Sequence, residues 1–389
     1  MTPRLRLKGG RSSAALMASG GSELDRRVRS VTPIPNRRGV SSFHQLAPYI
    51  GKMPPIMARR LLRRYSQEGE TVLDPFCGSG TVPFEAAALG RHAIAIDLNP
   101  YAVALTKAKL AAPPTLAVAL DRAERRLGEA EELSSAVALD EVPEWVRAFF
   151  HPETLRNTIA LFDVLIRRRE HFLIGCLLGI LHHQRAGFLS YPASHLTPYL
   201  RTNKFPRDHY PELYEARAVR PRLLAKIRRV FSVPPELPFQ TRTTVRLGKA
   251  QGAACGAAPV DLVLTSPPYM NDLDYGRDNR LRLWFLGRGE HRPLDAGVRT
   301  QGRFMDLMDA SFKQLKKALK PGGHCVLVVG ESRRSRSPVA VPRLLAELAV
   351  ESVGGFRRVS QRNDVFAGIK RTTVPRPPRK EWIIVLRRE

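Results

Sequence analysis

Val72-Leu73-Asp74-Pro75-Phe76-Cys77-Gly78-Ser79-Gly80-Thr81 is the stretch on which the reading of this chain turns. Thr71 to Asp74 is short and apolar, as a strand buried on both faces would be, and it ends on a carboxylate. Gly78 and Gly80 permit a tight turn and close approach of the backbone to a ligand, and Thr81 to Leu89 then reads as a helix. The unit repeats at once. Ala93-Ile94-Ala95-Ile96-Asp97 is a second buried strand and Tyr101 to Leu110 a second helix, while Arg59 to Tyr65 suits a helix ahead of the first strand. Strands alternating with helices predict a parallel sheet.

On either side of this unit the character changes. Residues 1–40 hold nine Lys/Arg against two acids, carry Gly9-Gly10, Gly20-Gly21, Pro33 and Pro35, and show no periodicity, so they read as a basic flexible N-terminal arm. Residues 112–240 break the α/β rhythm and read as a mostly helical insertion. Within it, 121–141 hold seven acids against three arginines, as a solvated helix would. Helices are expected over Pro152 to Arg169, Phe172 to His183 and Glu212 to Val230, and 201–230 form a basic flank of nine Lys/Arg and three acids. The α/β pattern resumes over 241–389, with strands expected at Thr243 to Leu247, Val260 to Thr265, His324 to Val329, Phe356 to Ser360 and Trp382 to Leu386. Phe304, Leu307, Met308, Phe312, Leu315 and Leu319 mark the buried face of a helix that Pro321-Gly322-Gly323 ends.

The whole chain of 389 residues suits roughly two to three structural units. Its 43% apolar content excludes a wholly disordered polymer. The 63 Lys/Arg against 36 Asp/Glu leave a net charge of +27, which argues for a polyanionic partner. Cys77, Cys176, Cys255 and Cys325 are far apart with no CxxC, so neither a zinc site nor a disulfide scaffold is expected, and a reducing cytoplasm fits. The apolar run within His171–His182 is too short to span a bilayer, and Ala14–Ala18 is too brief for a signal peptide; no membrane role is expected.

The glycine loop lacks the GK[ST] ending of a phosphate-binding P-loop and the GxGxxG of dinucleotide folds. An acid ahead of the glycines disfavours a pyrophosphate and suits a cationic nucleoside that bears an amino acid, such as S-adenosylmethionine. Asp97, ending the second strand, can accept both hydroxyls of a ribose, and Asn99-Pro100 can line an adenine pocket.

A second signal is Asp261-Leu262-Val263-Leu264-Thr265-Ser266-Pro267-Pro268-Tyr269, a strand ending in Ser-Pro-Pro-Tyr. Consecutive prolines stiffen the backbone and leave carbonyls free to accept, Ser266 adds a hydroxyl, and Tyr269 offers a flat face for a base. Bonds from an exocyclic NH₂ to Ser266 Oγ and the Pro267 carbonyl would draw its nitrogen toward tetrahedral geometry and free the lone pair for attack on a methyl group. Catalysis of that kind is positioning and electrostatics. Attack on ring carbon 5 of cytosine needs a cysteine nucleophile, and none sits near Ser266; Cys77 lies in the glycine loop.

Taken together, Asp74 to Thr81 and Ser266 to Tyr269 resemble the two motifs of amino-directed DNA methyltransferases, which methylate exocyclic amines of bases. The stretch Phe43-His44-Gln45-Leu46-Ala47-Pro48-Tyr49-Ile50-Gly51-Lys52-Met53-Pro54-Pro55 resembles the segment that closes over the methionine moiety in those enzymes. The resemblance covers roughly 41–111 and 241–389 and implies a Rossmann-like methyltransferase fold, with a seven-stranded, mostly parallel sheet and a helical insertion. It implies S-adenosylmethionine held by Asp74, Phe76, Cys77, Gly78, Gly80, Thr81, Asp97, Leu98, Asn99, Tyr49 and Lys52, with His44 carried over from the same stretch, and catalysis by Ser266, Pro267, Pro268 and Tyr269. The serine form points to cytosine N4 ahead of adenine N6. One departure stands out: family members usually show an acid after the third strand, in a Gly-Asp-Ala pattern, where this chain reads Gly248-Lys249-Ala250-Gln251.

The implied substrate is DNA, with the target base flipped out of the stack and the backbone held by basic segments at 1–40, 201–230 and 356–389. The 112–240 insertion is a candidate target-recognition region, or a purely structural lid. Met270 to Gly287 follows the tetrad, and Asp274, Tyr275 and Arg277 could shape the base pocket or hold phosphate; a helix with an exposed basic face and Trp284 in the core is the competing reading. A restriction endonuclease is a candidate partner. The rival functions are an RNA base methyltransferase acting on tRNA or rRNA, a protein Asn/Gln methyltransferase, and a non-catalytic nucleic-acid-binding protein.

Overall fold

The apolar alternation of β4, Val260–Thr265, shows how the molecule is layered. Leu262 and Leu264 project to one face and Val263 to the other, the period-two pattern of a strand covered on both sides. A computed structural model describes residues 40–185, 187–194, 197–238, 240–253, 259–268, 274–287, 300–330, 341–366 and 379–389, with the side chains of 364–366 and 379–380 also left out. The basic arm, over residues 1–39, lies outside the described residues.

Among the described residues seven strands form one sheet, in the order β3-β2-β1-β4-β5-β7-β6. They are β1 (Thr71–Asp74), β2 (His92–Asp97), β3 (Thr243–Leu247), β4, β5 (Leu319–Gly330), β6 (Phe356–Phe366) and β7 (Arg379–Arg388). β1 to β5 pair in parallel and β7 runs antiparallel to both its neighbours. This is the seven-stranded, mostly parallel Rossmann-like sheet expected. β5 starts earlier than expected: it runs straight on from the Gln301–Ala318 helix through Pro321-Gly322-Gly323, where Gly322 takes the left-handed conformation (φ 77°) that its lack of a side chain permits.

The strand order reverses between β1 and β4. β2 and β3 lie to one side of β1, and β4 and β5 to the other, so a crevice opens beyond the strand ends at this switch point. The register Val72↔Leu262 and Leu73↔Val263 brings the carboxyl ends of β1 and β4 side by side, although about 190 residues separate them.

Each sheet face has its own core. Met57, Leu61 and Leu62 of the Pro55–Tyr65 helix cover one face through Val72, Leu264 and Val326. Phe304, Met308, Phe312 and Leu315 of the Gln301–Ala318 helix cover the other through Leu73, Val263 and Cys325.

Between β2 and β3 come the Pro100–Leu110 helix and then helices at Leu116–Leu133, Glu144–Arg147, Pro152–Arg167, His171–Ile180 and Val219–Val230. Their apolar faces form a third core with Tyr101, Leu105 and Ala108, and with Phe43, Leu46, Trp284 and Phe285 from distant parts of the chain. The acidic helix is more than a solvated rod: Ala119, Ala123, Leu127 and Ala130 make a buried stripe, and its outer Glu124 and Glu131 pair with Arg220. The basic flank is likewise partly structural. Arg217 is buried and donates to the carbonyls of Phe188, Ser190 and Leu213, and Lys226 is buried too. Glu212 to Val230 is not one helix; a 3₁₀ turn at Pro211–Tyr214 precedes the helix that starts at Val219, where Pro221 is tolerated in the first turn. Among the described residues no helix is long and apolar enough to cross a membrane.

Candidate active site

The carboxyl ends of β1, β2 and β4 open into a cavity of about 620 Å³. Tyr49 and Lys52 wall it from the N-terminal side. Asp74, Phe76, Cys77, Gly78 and Thr81 form its floor; Asp97, Leu98 and Asn99 flank it; and Ser266, Pro267 and Pro268 face it from β4. Of the candidate site residues from the sequence, Gly80 is not on the wall and Tyr269 lies outside the described residues. His44 also turns away from the cavity. It is buried, and its Nε2 bonds Glu85 at 2.7 Å. Burial lowers its pKa to about 4, so the ring is neutral at pH 7 and donates to a carboxylate that Arg59 also holds at 2.7 Å.

The two motifs are bonded to each other. Thr265, the last residue of β4, donates its hydroxyl to Asp74 Oδ1 at 2.6 Å, so the residue before Ser266 is pinned to the head of the glycine loop. The loop is also fastened to β2: Asp97 Oδ2 accepts from the Gly78 N–H at 2.8 Å and Oδ1 from the Asn99 N–H at 2.9 Å. Gly80 works from behind. Its φ is +72°, and a side chain there would meet Thr106 Oγ1 at 2.5 Å and Thr106 Cα at 2.9 Å. Tyr49 lies on the front of the loop, its ring 3.3 Å from where a Gly78 side chain would start. It also packs between the rings of Tyr101, at 5.8 Å, and Tyr275, at 6.0 Å.

Burial sets the protonation of the site. It pushes Asp74 up to about 7 and Asp97 up to about 6, and it lowers Lys52 to about 8, with Arg282 adding repulsion. Lys52 spends its ammonium on the carbonyls of His44 and Ala47, at 3.1 and 3.0 Å.

Several further residues complete the wall, among them the stretch after β3 where the expected acid is missing. Gly248, Lys249, Ala250 and Gln251 line the cavity after β3, and Arg303, Asp306 and Leu307 reach it from the first turns of the Gln301–Ala318 helix. Tyr275 does too, whereas Asp274 caps its own short helix by accepting from the Arg277 N–H, and Trp284 is in the core. The helix Arg280–Gly287 does not show a wholly exposed basic face, because Arg282 is buried against the Tyr101 ring.

The donor set fits S-adenosylmethionine. Three carboxyls, Asp74, Asp97 and Asp306, line the space where a cationic ligand would lie. Among the described residues, two buried amide atoms of wall residues, Asn99 Nδ2 and Gln251 Oε1, have no hydrogen-bond partner, one donor and one acceptor that the edge of a flat heterocycle could meet.

Residues 27–108 match the family model described as DNA methylase. The chain is 34% identical over 67 residues to the type II methyltransferase M.MjaII of Methanocaldococcus jannaschii, which is 17% of this chain and 13% of that protein. It is 38% identical over 63 residues to the type II methyltransferase M.HpaI of Haemophilus parainfluenzae, 16% of this chain and 20% of that protein. The matches thus span a small part of either relative. Among solved structures, TrmN from Thermus thermophilus aligns over 89% of this chain and 52% of its own at a TM-score of 0.38 and 14% identity. The rRNA methyltransferase aviRa from Streptomyces viridochromogenes aligns over 90% and 94% at a TM-score of 0.33 and 15% identity. The strand order, not these alignments, defines the fold. The segment that carries the glycine loop is thus similar to DNA methylases and to two type II methyltransferases.

Proposed function

We propose that this protein methylates an exocyclic amino group of a DNA base, cytosine N4 ahead of adenine N6. The observation that carries the reading is the Thr265–Asp74 hydrogen bond, which sets Ser266-Pro267-Pro268 and the glycine loop on one cavity. Bound there, S-adenosylmethionine supplies a methyl carbon on a positively charged sulfur. Asp74 and Asp97 favour that charge when ionised, Asp97 accepts from the ribose hydroxyls, and Asn99 with Gln251 meets the adenine edge. Lys52 and Tyr49 close the opposite wall. Ser266 Oγ and the Pro267 carbonyl accept from the two N–H bonds of the target amine and hold its lone pair toward the methyl group. Their worth is in orientation and in charge stabilisation inside a site shielded from water. Tyr269 supplies the stacking face for the base.

A paired base cannot reach this cavity, so the target is flipped out or comes from a single strand. The net charge of +27 supports a nucleic-acid substrate. The serine in the first tetrad position supports cytosine, and a restriction endonuclease acting at the same sequence fits the type II relatives. The 112–240 insertion is the candidate for sequence recognition.

The test is transfer of a tritiated methyl group to genomic DNA, tRNA and rRNA, followed by mass spectrometry of the nucleosides. N4-methylcytosine in DNA is expected. N6-methyladenine would correct the base, and label confined to RNA would overturn the DNA substrate. In the same assay Tyr269→Ala is expected to cut turnover on the order of a hundredfold or more, with cofactor affinity near that of the parent; base–aromatic stacking of about 1–3 kcal/mol and lost alignment both contribute. Undiminished turnover would remove Tyr269 from the site.

A further inference from the structure

Contacts inside the cavity, Tyr49 on Gly78 and against Tyr275, account for only part of how Tyr49 and Lys52 are placed. The turn that presents them, Ser41 to Pro48, is held from the other side, by the insertion. Ser42 donates its hydroxyl to the Val230 carbonyl, its N–H donates to the Val233 carbonyl at 3.0 Å, and its Oγ accepts from the Val233 N–H at 2.9 Å. Lys226, 4% exposed on the Val219–Val230 helix, donates Nζ to the Gln45 carbonyl at 3.0 Å. The next residue, Leu46, lies against the His171–Ile180 helix, where Gly175 and Gly179 leave a groove. A side chain at Gly179 would meet the Leu46 carbonyl oxygen at 2.1 Å, and one at Gly175 would meet the Leu46 side chain at 2.6 Å. From this anchored turn the chain runs on to Tyr49, seated on Gly78, and to Lys52, which bonds back to the His44 and Ala47 carbonyls.

We propose that Lys226 and Gly179, neither of which lines the cavity, are positioning residues for the cofactor site. They act through the Ser41–Pro48 turn, so that the insertion and the cofactor pocket are energetically coupled. The inference rests on the cofactor reading above. Buried contacts of this kind have few alternative arrangements: the Leu46 carbonyl cannot be displaced at Gly179 without moving the turn, and the Tyr49 ring has no slack over Gly78. Coupling of binding free energies is reciprocal, so cofactor in the pocket must in turn stabilise the two insertion helices.

The experiment pairs calorimetry of S-adenosylmethionine binding with hydrogen exchange of the full-length protein. In the parent protein, saturating S-adenosylmethionine is expected to slow amide exchange in 171–180 and 219–230 as well as in 71–81. Lys226→Met is expected to raise the cofactor Kd roughly tenfold, the size of effect that follows from one lost charge-assisted bond, and to raise KM for the cofactor more than it lowers kcat. Gly179→Ala is expected to do more. Ile159→Val, which trims the insertion core on the Pro152–Arg167 helix and removes no hydrogen bond to the turn, is expected to lower the melting temperature and leave the Kd alone. The coupling is overturned if insertion amides exchange at the same rate with and without cofactor, or if Lys226→Met binds as the parent does. It is also overturned if Ile159→Val weakens binding as much as Lys226→Met. Because the exchange measurement needs no variant, failure of Gly179→Ala to fold leaves the proposal exposed to refutation. If the parent binds no S-adenosylmethionine at all, the functional reading falls and takes this inference with it.

Discussion

Asp74 and Asp97 are two carboxyls that burial holds partly protonated near neutrality, at about 7 and about 6. Their folded pKa values lie above the ordinary carboxylate value, so the folded chain binds their protons more tightly than the unfolded chain does. Their contribution to stability is present in full below about pH 4 and is lost as pH rises to about 7. Cofactor binding has the opposite slope, because a cationic ligand favours the ionised carboxyls. Affinity is expected to rise between pH 5 and pH 8 with release of protons, and titration calorimetry in buffers of different ionisation enthalpy measures that release. No proton release near pH 6.5 would mean that the ligand's charge lies elsewhere. Gly80 makes a different kind of demand. Gly80→Ala puts a side chain into the Thr106 backbone at a left-handed φ, which alone costs about 1–2 kcal/mol, so a loss of more than about 2 kcal/mol is expected in a chemical melt. The residues of the loop are legible in the sequence because strand, turn and helix are contiguous and each has its own local signature. The role of Gly80 in close packing against Thr106 is not legible, since Thr106 belongs to a later helix.

At the scale of elements, the carboxyl ends of β1 and β4 matter as a pair. Thr265→Val keeps the shape of the strand end but leaves the buried Asp74 carboxyl without its hydroxyl donor, a loss of about 1–3 kcal/mol. That bond favours the ionised carboxylate, so its removal moves the pH midpoint of cofactor binding upward. An unshifted midpoint would show that Asp74 is set by its own loop alone. Strand pairing across about 190 residues is not readable from either motif; only the resemblance, which puts both motifs in one methyltransferase fold, leads to it. The wall supplied by Arg303, Asp306 and Leu307 was beyond reach for a plain reason. Helical periodicity identifies the buried face of 301–318 and is silent about which first-turn side chains look into a cavity. The acidic helix was read from its charges, which describe its outer face, while the buried stripe is made mainly of alanine and so weighs little in any apolar count.

For the molecule as a whole, the positive charge is less free than composition suggests. Lys226, Arg217, Arg282 and Lys109 are interior groups, so the surface charge left for a polyanion is smaller than +27 implies. Affinity for duplex DNA is still expected to fall on the order of a hundredfold between 50 and 200 mM salt, as some four phosphate contacts would dictate. A flat dependence in a fluorescence-anisotropy titration would argue against a backbone-gripping partner. The glycines of the His171–Ile180 helix bear on how such a molecule can diversify. Leu46 beds into their groove and Ser42 is laced to the end of the Val219–Val230 helix, so the 41–48 turn and the insertion pack as one unit. A chimera that imports a foreign insertion between β2 and β3 is expected to need the matching N-terminal turn as well if it is to bind S-adenosylmethionine as tightly as the parent.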